Sequence, residues 1–262
     1  MGTREKEQLY NGNGPRMDEE GKRQAASYRE QLGYWNQTLE YLLENDEEFF
    51  KIYKKLVSSP YKNNILDAKS RELINVALSS APTNLSKDTL EVHIENALDQ
   101  GATEKEILEV FKLVSVLGMH TCAVGVPILV DETGKYEGAE LNGRQEELKQ
   151  KFIEKMGYWH EFRNTLLLND EHFFESYYEF LTNPWENDVL SPKLKEFIYI
   201  AIDSATTHLF DVGIRVHIQS ALRLGATFEE IMEVFKLTSA QGVDTFYAGI
   251  PILESVLAKR GK

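Results

Sequence analysis

The stretch LEVHIENALDQGATEKEILEVFKLVSVLG, from Leu90 to Gly118, returns as IRVHIQSALRLGATFEEIMEVFKLTSAQG, from Ile214 to Gly242. The offset is 124 throughout, at His93 and His217, Gly101 and Gly225, Thr103 and Thr227, and Glu106 and Glu230. It holds back to Gly33-Tyr34-Trp35 against Gly157-Tyr158-Trp159. It holds forward to Gly125 and Pro127 against Gly249 and Pro251. Self-similarity at one fixed period constrains the fold before any local pattern does. Two long copies make a fused duplication, and each half has the commonest domain size.

Within each copy the apolar residues recur at helical spacing. Leu39, Leu42, Leu43, Phe49, Phe50 and Tyr53 run close to it. Asp46 and Asp170 precede acidic residues and predict helix starts. Ser191-Pro192 predicts an N-cap with proline in the first turn. On the histidine helices, Leu90, His93, Ile94, Ala97 and Leu98 share a face, as do Ile214, His217, Ile218, Ala221 and Leu222; Asn96 is placed on the opposite, polar face. Gly101 and Gly225 suit the left-handed residue that ends a helix. Thr103 with Glu106, and Thr227 with Glu230, predict capping boxes for the next helix. That helix is apolar for a long way, and Pro127 and Pro251 predict a kink or break in it. No period-2 strand pattern is present, so the fold class is all-α. The expected organisation is a polar N-terminal arm at 1–28, repeat 1 at 29–132, a linker at 133–152 and repeat 2 at 153–262.

The composition narrows the function. A net charge of −13 argues against a broad nucleic-acid or anionic-membrane surface, which needs basic patches. Cys122 is the single cysteine, so no intrachain disulfide forms, and a cytoplasmic setting is expected. The chain shows no secretory leader and no run of about 18 consecutive apolar residues, so no membrane span is expected. There is no H-E-x-x-H, no closely spaced metal-ligand set, no phosphate loop and no dinucleotide fingerprint. Neither a metal nor another cofactor is expected.

The ordered set SRELINVAL (Ser70 to Leu78), His93, AL-x-x-GAT-x-x-EI-x-EV (Ala97 to Val110) and the late G-x-P resembles the carboxymuconolactone decarboxylase family. That family includes the alkylhydroperoxidase D-like proteins. KEFIYIAI, His217, the second AL-x-x-GAT and YAGIP repeat the set. The resemblance implies two alkylhydroperoxidase D-like helical domains in tandem. Peroxidase members carry a C-x-x-C pair on the histidine helix. Ser86 and Thr89 stand at its positions in the first copy, and Phe210 and Gly213 in the second. A thiol relay needs both sulfurs, so thiol peroxidase activity is not expected. The cysteine-free decarboxylase branch instead implies Glu72 with His93, and Glu196 with His217, as catalytic pairs.

The copies differ most around those pairs. Tyr199, Asp203, His208 and Tyr247 of the second copy, with His120 of the first, are the candidate substrate-binding residues. The second copy is richer in titratable groups, which favours His217 and Glu196 over His93 and Glu72. A core role for the histidines, and a structural salt bridge from each glutamate to Arg71 or Lys195, are the plainer readings. The expected function is cofactor-independent acid/base chemistry, decarboxylation foremost, on a small carboxylated or enolisable substrate. A non-catalytic binding or assembly protein of the same fold, or an isomerase or cyclase, is the alternative. The greasy GVPIL and GIPIL helices predict a homo-oligomer, and the resemblance implies a trimer of six domains.

Overall fold

The computed structural model describes residues 17–261, and among them there is no strand. The beginning of the expected arm, residues 1–16, lies outside the described residues. Two compact units divide the chain, one running to Ser58 and resuming at Ile250, the other spanning Ser59–Gly249.

The first unit holds α1 (Glu19–Leu32), α2 (Gln37–Asn45), α3 (Glu47–Val57) and the end of α14 (Asp244–Lys259). Asp18 caps α1 by accepting from the Gly21 N–H at 2.7 Å, and Gly33 closes it at φ 84°. Asp46 ends α2 and caps α3 through the Phe49 N–H, as its acidic context predicts. Tyr28 is fully buried at the centre, with the rings of Trp35, Phe50 and Tyr53 around it.

The second unit holds α4 (Ala68–Ser80), α5 (Lys87–Asp99), α6 (Glu104–Ser115) and α7 (His120–Thr133). It continues with α8 (Gly143–Met156), α9 (Phe162–Asn169), α10 (Glu171–Thr182), α11 (Pro192–Ser204), α12 (Asp211–Arg223), α13 (Phe228–Ala240) and the start of α14. Both predicted capping boxes form. Ser191 caps α11 with Pro192 in its first turn. The core is built where α4 packs on α11 and, reciprocally, α6 on α11 and α13 on α4. Leu73, Ile74, Val76 and Ala77 meet Ile198, Ile200, Ala201 and Ile202 there, all fully buried. Each large member contributes on the order of 1.5–3 kcal/mol by leaving water. Thr83 and Thr207 are equivalent positions of the two copies, and their hydroxyls bond at 3.1 Å. A local two-fold relation therefore passes between them.

Four expectations change. Helix α1 starts inside the stretch read as an arm, and α8 inside the stretch read as linker. They match each other at the same offset of 124, so the repeat begins earlier than its similarity shows. Polar composition hid both helices, since each buries only a narrow stripe such as Tyr28 with Leu32, or Leu148 with Phe152. Pro127 and Pro251 lie inside α7 and α14 and break neither; the α-helical run is interrupted earlier, by the 3₁₀ turns Val116–Met119 and Gln241–Val243. Leu98 and Leu222 are about half exposed, whereas Asn96 is buried. Finally, Glu104–Thr133 is long and apolar enough to cross a membrane by length and composition, which a count of consecutive apolar residues does not register. Its first half, α6, carries Val110 and Leu113 into the core, while Val124, Ile128 and Leu129 of α7 are exposed.

Candidate functional site

Each glutamate meets its histidine. Helix α4 ends at Ser80 and α5 begins after a short reversal through Leu85, at φ 49°; α11 and α12 are joined the same way through Leu209, at φ 48°. This turn lays the histidine helix back on the glutamate helix. His93 Nδ1 lies 2.8 Å from Glu72 Oε2, and His217 Nδ1 lies 2.7 Å from Glu196 Oε2. Both glutamates are buried. The plainer pairing with Arg71 or Lys195 does not occur. Arg71 donates to the Leu66 carbonyl, and Lys195 donates to the carbonyls of Pro184 and Asn187. A carboxylate on Nδ1 fixes the imidazole's orientation and leaves Nε2 to face outward.

What Nε2 faces differs between the copies. A cavity of about 320 Å³ opens against His217. Its walls are mostly apolar, from Val116, Leu117, Met119, Ile202 and Val212, with His120, Arg163 and Tyr199 among them. Tyr199 stacks on His217 with ring centroids 4.5 Å apart. Burial holds the Tyr199 phenol well above its usual range, so it stays a protonated donor. Asp203 is fully buried, and neither carboxylate oxygen has a hydrogen-bond partner. Its Oδ2 lies 3.9 Å from His217 Nε2, and its Oδ1 3.8 Å from His120 Nδ1. Burial pushes the Asp203 carboxyl up to about 7; His217 opposes the shift and Glu196 adds to it. Burial, with His208, His217 and Arg163 nearby, pulls His120 down to about 3. The two histidines lie parallel, with His120 Nδ1 2.7 Å from His208 Nε2, and Phe210 covers the His120 ring at 4.2 Å.

The loop geometry explains the clustering. The Phe210 N–H bonds back to the Asp203 carbonyl at 2.9 Å, which folds His208 and Phe210 over the end of α11. Gly213 completes it, because a Cβ there would overlap Asp203 Oδ2. Phe210 and Gly213, the positions that the resemblance matches to the peroxidase cysteine pair, here cover the His120 ring and make way for the Asp203 carboxylate. In the first copy the same positions are Ser86 and Thr89, whose hydroxyls bond each other at 2.7 Å.

His120 belongs to the first copy yet lines the second copy's cavity, an exchange that the register of the copies does not show. The reverse exchange also occurs: Asp244 of the second copy accepts from Asn84 Nδ2 of the first copy at 2.9 Å. Tyr247 follows it on α14, outside the lining of the cavity, so its placement in the second copy's pocket is corrected. A helix pattern shows which residues share a face but not which copy that face meets. In the first copy the polar groups therefore satisfy one another: Asn84 with Asp244, Ser86 with Thr89, and Tyr61 with Glu72 at 3.0 Å. The second copy leaves Asp203 unsatisfied.

Sequence reasoning missed Arg163. It stands where the first copy has Leu39, at the start of α9, and it is buried. Its Nε donates to the Tyr177 hydroxyl at 3.0 Å, and the rings of Phe152, Phe162 and Tyr158 surround it. Nη1 has no hydrogen-bond partner, and the residue lines the cavity. A charged residue in the apolar stripe of one copy alone was the available signal.

The sequence profile of the carboxymuconolactone decarboxylase family matches residues 47–119 and 171–257. The search of curated proteins found no match. Among solved structures, the chain is similar to a provisionally named gamma-carboxymuconolactone decarboxylase subunit from Burkholderia xenovorans LB400. The identity is 40% and the TM-score 0.87, over 95% of this chain and 100% of that one. With profile matches in both copies and this likeness along nearly its whole length, the chain belongs to the carboxymuconolactone decarboxylase family.

Proposed function

We propose that the protein is a decarboxylase-like enzyme acting on a small acid that carries two carboxylates, such as a carboxylated unsaturated lactone. The observation that carries this reading is the His217–Glu196 pair opening on a largely apolar cavity whose lining includes the buried Arg163. The name of the Burkholderia relative supports the lactone class. Arg163 anchors the carboxylate that is kept. A guanidinium on the departing carboxylate would stabilise the ground state and slow the reaction. The departing carboxylate instead faces the apolar wall, where its charge is poorly solvated. Its carbon–carbon bond breaks, CO₂ leaves, and the electron pair passes into an enolate in the cavity beside His217. His217 delivers a proton to carbon, with Glu196 steadying the imidazolium. His93 and Glu72 support the fold. The assembly belongs to the same proposal: further copies of the chain cover the exposed apolar residues of α7, in a trimer of six domains.

CO₂ release from gamma-carboxymuconolactone tests the reaction, and Arg163→Met tests the anchor. A charge-assisted hydrogen bond of about 1.5–3 kcal/mol predicts a rise in KM of roughly 10- to 100-fold. The turnover number should change far less. An unchanged KM in a folded variant would remove the anchor. Cys122 is a free thiol outside the cavity lining, so Cys122→Ser should leave turnover as it is. Dithiol-dependent peroxide reduction that vanished in this variant would contradict the reading from the missing cysteine pair.

A further inference from the structure

We propose that His120, His208 and Asp203 form a binding site for a divalent first-row transition cation, which the sequence alone does not suggest. One ligand atom from each of the three lies within 4.8 Å of the others. They come from α7, from the α11–α12 loop and from α11; Asp203 and His208 are close in sequence, but His120 comes from the other copy. Two imidazoles and a carboxylate suit zinc, iron or cobalt better than magnesium or calcium, which favour oxygen donors.

The strongest argument is Asp203. A buried carboxylate without a partner is costly, and here both oxygens are without one. The surroundings do not relieve this. The nearest imidazole nitrogens stand at 3.8 and 3.9 Å, too far for a hydrogen bond. Ligand atoms on one cation, each at about 2.0–2.2 Å from it, lie roughly 3–4 Å from one another. The gap from Asp203 to His120, 3.8 Å, is of that size, and His208 lies within 4.8 Å. His120 Nδ1 and His208 Nε2, at 2.7 Å, are closer than that. Seating an ion requires the two rings to part slightly and to release the hydrogen they share. Both side chains are only partly buried, which leaves room for the rotation.

The opposing charge is Arg163, on the same cavity. Two carboxylates, Asp203 and the histidine-bound Glu196, outnumber it. The first copy supplies a control within the molecule. Asp244, Asn84 and Ser79 stand at the three equivalent positions, and there the polar groups pair directly, Asn84 with Asp244. Three protein ligands leave coordination positions open to the cavity beside His217. A cation there would accept an oxygen of the substrate next to the proton-carrying imidazole. In that role the inference builds on the acid/base reading, but binding of the ion is tested without it.

The full chain, stripped with a chelator and titrated with Co²⁺ alone, is the experiment. One ion per chain, retained through desalting and giving visible d–d absorption, is expected. Asp203→Asn and His208→Ala should each weaken binding at least tenfold, as loss of one ligand in three requires, while His93→Ala binds as the parent does. His208 is only partly buried, so its variant keeps the question answerable if Asp203→Asn does not fold. The proposal is overturned if the parent takes up neither Co²⁺ nor Zn²⁺, or if the folded His208→Ala protein binds either ion as well as the parent. Absence of metal together with intact CO₂ release would remove the ion and leave the acid/base reading in place.

Discussion

His217→Ala is expected to lose about 100- to 10,000-fold in turnover, the usual consequence of deleting a general acid/base. His93→Ala is expected to lose far less. The two histidines share a helix position, a glutamate partner and nearly the same hydrogen-bond length. They differ in what lies beyond Nε2. His217 faces an apolar cavity with Asp203, Tyr199 and Arg163 around it. Around His93 the matching positions hold Ser79, Asn75 and Leu39, and nearby polar groups are already paired, Tyr61 with Glu72 and Asn75, and Asn84 with Asp244. Steady-state kinetics on both variants, with circular dichroism to confirm the fold, decides the matter. Equal losses would mean two working sites. Loss of thermal stability in both, without loss of turnover, would make the histidines core residues.

Gly213→Ala should destabilise this chain more than the same change at the other glycines with an ordinary φ among those described. Inside an exposed helix the same change usually stabilises by about 1 kcal/mol. Here the sign reverses. The new Cβ would overlap Asp203 Oδ2 and lie 2.7 Å from Phe210 Cδ1. Asp203 is fully buried, so either α12 shifts or the carboxylate is driven out of place. A loss of about 1–3 kcal/mol in stability is expected from overpacking, and turnover should fall with it. The first copy shows what the position tolerates. Thr89 stands there with a full side chain, and the residue matching Asp203 is Ser79. Adding Asp203→Ser to Gly213→Ala should therefore recover the stability but not the activity. Denaturant unfolding of the two single variants and the double variant measures the coupling. Additive losses would show that the clash is not with Asp203.

Much of this arrangement was legible before any coordinates. The 124-residue offset carried the fold. The capping boxes marked α6 and α13, and family resemblance put Glu196 with His217 and Glu72 with His93. Asp203, His208, Tyr199 and His120 were also picked out, because they break the likeness between the copies. Arg163 broke it too, but it sits in a short helix whose other residues read as ordinary core. The exchange of His120 and Asp244 was only half visible. Sequence orders residues along one chain, whereas the cavity includes His120 of α7, which reaches it from the other copy. The helices α1 and α8 escaped because a narrow buried stripe in a charged segment resembles a solvated linker.

That exchange has a consequence for how such a protein can change. Were the two copies separate but identical chains, every substitution would land at both sites at once. Improving one would always alter the other. Joining them end to end lifts that restriction. Residue 120 can be histidine while residue 244 is aspartate, and residue 203 can carry a charge while residue 79 carries a hydroxyl. Since each site borrows a residue from the opposite copy, neither half can specialise alone. The tethered pair is free to become asymmetric, with one half kept as a self-satisfied scaffold and the other left chemically hungry.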